Sequence, residues 1–218
     1  SDKTGAGLFP TYSAGMKTNR DLWCYDSSKA GLASRMQKSI SFFNSLDQAY
    51  TPRSDEASFK WCQKTLADLS SGKKYTFEES KLRLAHYRPF TRQWLYMDGR
   101  LNWSKYLTDR YFPKPDSENR VISLSAPGFR GEFSVLMTDL TPSIHFGDMG
   151  GAQCFPLIVY DAPAPEAGTL DFKVVGQRSG ISVQGLGHFQ AAYPGSEITE
   201  DDLFYYIYAV LHTPAYRE

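Results

Sequence analysis

The stretch Tyr87-Arg88-Pro89-Phe90-Thr91-Arg92-Gln93-Trp94 interleaves two cations and an amide with aromatic rings, and Arg100-Leu101-Asn102-Trp103 repeats the theme. Arginine can fork onto guanine O6 and N7, and glutamine or asparagine can read adenine N6 and N7. Aromatic rings stack on bases or stiffen the loops that carry such side chains. Gly15-Met16-Lys17-Thr18-Asn19-Arg20 places glycine backbone, a hydroxyl, an amide and two cations in one turn. That set suits a phosphate or a flipped nucleotide. The candidate DNA-contacting residues are therefore Lys17, Thr18, Asn19, Arg20, Arg88, Arg92, Gln93, Arg100 and Asn102. In the competing reading Phe90, Trp94 and Tyr96 are core residues and the arginines merely stack on them.

Catalytic vocabulary is missing. The sequence contains no Gly-x-x-x-x-Gly-Lys-Ser/Thr phosphate loop, no Gly-x-Gly-x-x-Gly, no Asn-Pro-Pro-aromatic run, no Gly-x-Ser-x-Gly elbow and no His-Glu-x-x-His. Its four histidines, His86, His145, His188 and His212, have no metal-ligand spacing. His145 with Asp139 and Asp148 is the nearest approach to a hydrolytic site, but a site needs a nucleophile or base, a partner and a charge stabiliser together. No catalytic residue, metal or cofactor is expected. The three cysteines, Cys24, Cys62 and Cys154, are dispersed and read as reduced thiols. No run approaches the ~18 apolar residues of a membrane helix, and the first twenty residues lack the apolar stretch of a signal peptide. A cytoplasmic protein without a membrane partner is expected.

The net charge is zero, yet residues 1–110 carry 18 Lys/Arg against 11 Asp/Glu, net +7, while residues 111–218 carry 6 against 13, net −7. A basic first half points to a polyanionic partner or an acidic neighbour. Periodicity marks the elements that must position the loops. Ser27 or Ser28 caps a helix over about 29–48, whose residues Leu32, Met36, Ile40 and Phe43 share one face. Thr51-Pro52 breaks it, and Ser54 or Asp55 caps a second helix to about Ser70, carrying Phe59, Cys62, Leu66 and Leu69, with Gly72 as the stop. Arg35, Lys38, Lys60 and Lys64 fall on the outer faces of this hairpin. Residues 21–25 read as a strand. Further strands are expected at 82–87, 94–97, 121–124, 133–138 and 155–160, and weaker ones at 170–175 and 181–183. Asp98-Gly99, Pro127-Gly128, Gly150-Gly151 and residues 163–168 supply the turns. Thr199 with Asp202 forms a capping box for a last helix lined by Leu203, Ile207, Val210 and Leu211. The expected fold is α+β: an N-terminal helical hairpin packed with an antiparallel or mixed β-sheet region and a C-terminal helix. It divides into a segment 1–80 with the hairpin and a β-rich region 81–218, within one compact unit.

Several blocks in order carry a family resemblance. Gly15-x-Lys17-Thr18-Asn19-Arg20-Asp21, Tyr87-Arg88-Pro89-Phe90-x-x-x-Trp94, Val135-Leu-Met-Thr138-Asp139, His145-Phe146, Gln153-Cys-Phe155-Pro156-Leu157 and Asp202-Leu-Phe-Tyr-Tyr-Ile-Tyr208 are among them, followed by Leu211-His212-x-Pro214-x-Tyr216-Arg217. They resemble the C-terminal specificity region of type ISP restriction-modification enzymes. Thr91 departs from the pattern, in which an acidic residue follows Tyr-Arg-Pro-Phe. The resemblance implies a DNA target recognition module, non-catalytic by itself, belonging to a longer chain that joins a nuclease, a helicase-like motor and an N6-adenine methyltransferase. It implies double-stranded DNA and those methyltransferase and motor domains as partners. S-adenosylmethionine, ATP and Mg would serve the parent, with no cofactor in this fragment. The alternative from another class is a protein-interaction module that docks onto a motor domain. If the loops named above are not the readers, residues 110–130 and 168–187 rank next.

Overall fold

Ser28 opens the first long helix by accepting a hydrogen bond on its hydroxyl from the Gly31 amide at 3.1 Å. The computed structural model describes residues 7–53, 57–126, 131–146, 151–161 and 176–217. Asp148, the capping candidates Ser54 and Asp55, the turns at Pro127-Gly128, Gly150 and 163–168, and the strand expected at 170–175 lie outside the described residues.

The first part of the chain runs β1 (Ser13–Ala14), α1 (Asp21–Cys24), β2 (Tyr25–Asp26), α2 (Lys29–Ser45), α3 (Gln63–Ser70), a 3-10 turn (Glu79–Lys81), β3 (Leu82–Arg88) and β4 (Thr91–Tyr96). The rest runs α4 (Thr108–Tyr111), β5 (Val121–Ser125), β6 (Val135–Thr138), β7 (Thr141–Pro142), β8 (Ala152–Pro156), β9 (Ile158–Tyr160), β10 (Gln177–Ser179), α5 (Val183–Ala192), α6 (Glu200–Val210) and α7 (Pro214–Arg217). One sheet has the order β2-β4-β3-β7, antiparallel except where β3 meets β7 in parallel. A second, antiparallel sheet has the order β1-β8-β5-β6, and β9 pairs with β10. The architecture is α+β, as expected.

Two principal cores follow. Leu32, Met36, Ile40 and Phe43 of α2 pack with Leu82, Ala85, Leu95 and Tyr96 of the β3–β4 hairpin. Thus β3 and β4, grouped by sequence with the second part of the chain, share the core of the first. The second core gathers Ile122, Val135, Leu157, Ile181, Leu203 and Phe204. Arg83 is buried and donates to the Phe112 carbonyl at 2.6 Å, tying β3 to the start of the second part.

Four sequence readings are corrected. Residues 21–24 are helical rather than extended, because the Arg20 carbonyl accepts from the amides of both Trp23 and Cys24. The indole of Trp23 then donates to Ser39 on α2 at 3.1 Å. The second helix covers only Gln63–Ser70. Upstream of it, Phe59 and Trp61 stand 4.8 Å apart, and both pack on Phe43. The gain from burying two rings at that spacing overrides the helical period read from Phe59. The strand expected over 155–160 is two strands with Leu157 between them. Residues 181–183 lead not into a strand but into α5, capped by the Ser182 hydroxyl. Gly185 and Gly187 mask this helix in sequence, since glycine is a poor helix former. At Gly185 the helix start packs close to Leu8 and the Ser182 hydroxyl, 2.6 and 2.8 Å from where a Cβ would stand.

Asp68, at the heart of the first unit, accepts from the Tyr75 hydroxyl at 2.7 Å and from Arg100 Nε at 2.9 Å. Burial pushes its carboxyl up, but these donors and the charges of Arg100 and Lys73 prevail and hold it below the ordinary value. A depressed folded value means a contribution to stability that is present above the unfolded carboxylate range, about pH 4, and lost as pH falls through the folded value. Urea unfolding is expected to show that loss as an acid decline. Asp68→Asn should be less stable at pH 7 and decline less steeply below pH 4. An unchanged acid limb would remove Asp68 from the account.

Candidate nucleic-acid interface

Gly15 lets residues 15–17 run against the segment after β7: a Cβ there would lie 2.6 Å from the Ser143 carbonyl oxygen. The Met16 amide donates to Pro142 O and the Ile144 amide to Met16 O, both at 2.8 Å. The chain then turns through Asn19, whose φ is 55°. Within that turn the Thr18 hydroxyl donates to Asp21 and accepts from the Arg20 amide at 3.1 Å. Asp21 in turn receives Arg88 Nη2 at 3.2 Å. On the other side, Lys17 pairs with Ser104 through two 3.0 Å backbone bonds, and the Trp103 amide donates to Thr18 O. The turn 15–21 is thus bonded both to Arg88 at the hairpin and to the loop 98–104, segments chosen separately from sequence.

Their side chains divide into two kinds. Thr18 and Asn102 are buried and internally satisfied. Asn102, 0% exposed, accepts from the Asp98 amide at 2.7 Å and donates to the Cys24 sulfur at 3.1 Å. Arg20 is 6% exposed and donates to the Lys60 carbonyl at 2.9 Å. Arg100 is clamped on Asp68. Arg88 lies 3.9 Å over the Tyr87 ring and also donates to Tyr87 O and Ser143 Oγ. The polar atoms of these five are engaged in building the segments, and Arg88 stacks on Tyr87 instead of on the Phe90, Trp94 or Tyr96 of the competing reading. Burial pushes the Cys24 thiol up to about 12, so it stays protonated beside Asn102. Asp98 is also pushed up by burial, but Lys81 and the amides of Leu101 and Arg100 hold it below the ordinary carboxylate range.

The second kind faces outward. Asn19 and Arg92 are exposed, while Lys17 and Gln93 are half-buried. Among the described residues Arg92 has no ion pair and no side-chain hydrogen bond, and Lys17 has only the Trp103 ring, 5.9 Å from its ammonium. Arg92 stands across the ladder from His86. Burial and that guanidinium, opposed by Asp139, hold His86 below the ordinary imidazole range. The His86 ring stacks on Phe146 at 4.8 Å, with Nδ1 2.6 Å from Thr138 Oγ1. Together with Phe90, Leu136 and Met137 they line a cleft of about 570 Å³. Phe90, read from sequence as a core candidate, is 96% exposed at the hairpin tip. The available signal was its place directly after proline in a turn. His145 and Asp139 are not joined by any hydrogen bond or ion pair among the described residues, and no group of three or more potential metal ligands occurs among them.

An α+β frame that displays two cations without ion pairs among the described residues, two amides and an aromatic on a braced turn and the adjoining β-hairpin defines a recognition module. The chain belongs to the Type ISP C-terminal specificity domain family, whose model matches residues 7–218. Among solved structures it resembles a DrdV–DNA complex, with 33% identity and a TM-score of 0.83 over 97% of this chain and 20% of that one. It also resembles the ATP-dependent Type ISP restriction-modification enzyme LlaBIII bound to DNA, with 26% identity and a TM-score of 0.83 over 100% of this chain and 14% of that one. A nuclease-deletion mutant of the Type ISP enzyme LlaGI with a DNA substrate mimic gives 26% identity and a TM-score of 0.77, covering 99% and 19%. The chain thus spans a fifth or less of the proteins it matches. No curated protein matches. No helix among the described residues is long and apolar enough to cross a membrane.

Proposed function

We propose that this chain reads a double-stranded DNA target on behalf of a Type ISP restriction-modification enzyme. The observation that carries the reading is likeness along the whole chain to specificity domains, including enzymes solved with DNA. The geometry fits it: Lys17 and Asn19 stand on the turn at 15–21 and Arg92 and Gln93 at the start of β4, beside Thr18, Arg20 and Arg88, whose polar atoms fix these segments. In this proposal the chain supplies recognition alone. An N6-adenine methyltransferase domain, a motor and a nuclease of the same parent use S-adenosylmethionine, ATP and Mg. The exposed Tyr193 and Tyr206, beside a cleft of about 350 Å³ between α5 and α6, favour a docking role for that face, which is compatible with DNA reading at the loops.

Titrating random duplex DNA across a salt series tests the proposal. Affinity is expected to fall with a slope of about −0.9 per phosphate contact, and a pure scaffold would not bind. Lys17→Ala should weaken binding to every sequence alike and make the slope shallower by about one. If this variant binds like the wild type, Lys17 makes no phosphate contact.

A further inference from the structure

We propose that Phe90 is a wedge that stacks against the bases of a duplex step, a role that rests on the DNA-reading proposal and adds a residue and a mode of contact to it. The turn is Arg88-Pro89-Phe90-Thr91, with Arg88 and Thr91 in register across the hairpin. Proline at the second position and a positive φ at the third is the arrangement that a type II turn ordinarily fills with glycine. Phenylalanine stands there instead at φ 64°. A bulky side chain in the left-handed region is strained, and glycine would relieve the strain.

The side chain is 96% exposed and, among the described residues, takes part in no hydrophobic core. The backbone thus carries strain to display an aromatic ring that the protein does not bury. Such a conformation persists only where the surroundings enforce it, and here they do. β3 and β4 hold the hairpin, and Arg88 is fixed by Asp21, Tyr87 O and Ser143. A backbone held that firmly presents the ring to a stack without the turn first being ordered.

The surroundings indicate the partner. Phe90 sits at the rim of the cleft that also holds the unpaired Arg92 and the stacked His86 and Phe146. It lies between Arg88 and Arg92 in the basic half of the chain. A cation beside a lone ring fits a polyanion with stacked bases, and apolar side chains wedged between base steps are a known means of partly unstacking a duplex.

The test uses the full 218-residue chain and a duplex carrying 2-aminopurine in both strands, which brightens on unstacking. Binding of the wild type should raise the fluorescence. Phe90→Ala and Phe90→Gly should abolish that rise and weaken binding roughly 5- to 150-fold on any sequence, since stacking is sequence-tolerant. Neither should change the salt slope, because no ionic contact is lost, and Phe90→Trp should restore both signals. Circular dichroism should find Phe90→Gly as well folded as the wild type, separating loss of stacking from loss of fold. Binding without a fluorescence rise, or a rise that survives Phe90→Ala, would overturn the wedge and leave DNA recognition standing. Absence of any binding by the wild type would overturn both.

Discussion

Replacing Leu203 by alanine is expected to lower the unfolding free energy by about 2–5 kcal/mol. Leu203 is 1% exposed and sits in the second core with Ile122, Val135, Leu157 and Phe204. The helix that carries it is fixed at its start. The Asp202 amide donates to the Thr199 hydroxyl at 3.2 Å, and the Thr199 amide donates to the Asp202 carboxylate at 3.0 Å. Next to it, Phe204 lies 6.0 Å from Phe9, whose own ring is 5.3 Å from Phe155. A helix held at its cap and wedged between a strand and the N-terminal segment cannot readily slide to refill the space, so a cavity remains. Ile207 lies a turn further along and is only partly buried, so Ile207→Ala should cost less. Urea unfolding of both variants checks the order. If Leu203→Ala unfolds at the wild-type midpoint, α6 is not part of the cooperative core.

The long regular elements were legible because their periods are uninterrupted. α2 and α6 carry apolar residues at helical spacing behind a Ser or Thr cap, and β5 and β6 are short, mostly apolar runs. β4, by contrast, starts at Thr91, three residues before the apolar run at 94–97 that marked it, because pairing with β3 carries the strand back through Arg92 and Gln93. Failures arose where tertiary contacts override local pattern. Phe59 has a helical relation to Leu66 and Leu69, but its ring is drawn into the cluster around Phe43. Glycines conceal α5, and one of them packs against Leu8, 177 residues away in sequence. In the candidate segments, residue type and spacing do not say which side chains are free. That depends on partners such as Asp21 and Asp68, whose positions only the fold sets. Thr18, Arg20, Arg88, Arg100 and Asn102, chosen as DNA contacts, also brace these segments, and Phe90, which the competing reading placed in the core, stands in solvent.

The same distinction makes Arg92→Ala the sharpest test of sequence reading. Arg20, Arg88 and Arg100 each spend their guanidinium on protein acceptors, so replacing any of them disturbs a loop as well as a contact. Arg92 is exposed and, among the described residues, unpaired, on a regular strand that runs back into the core at Leu95 and Tyr96. Its removal should therefore leave the fold intact. An arginine that forks onto a guanine edge contributes about 1–3 kcal/mol of discrimination at one base pair. A phosphate contact instead weakens all sequences equally and reduces the salt slope by about one. Preferred sites selected by the wild-type chain from a random duplex pool should contain one position that Arg92→Ala relaxes, while affinity for unrelated duplex changes little. A uniform loss with a shallower slope would make Arg92 a phosphate anchor. An unchanged selection would move the readers to residues 110–130 and 168–187, because the cations at 20, 88 and 100 are already committed to carbonyls and carboxylates within the protein.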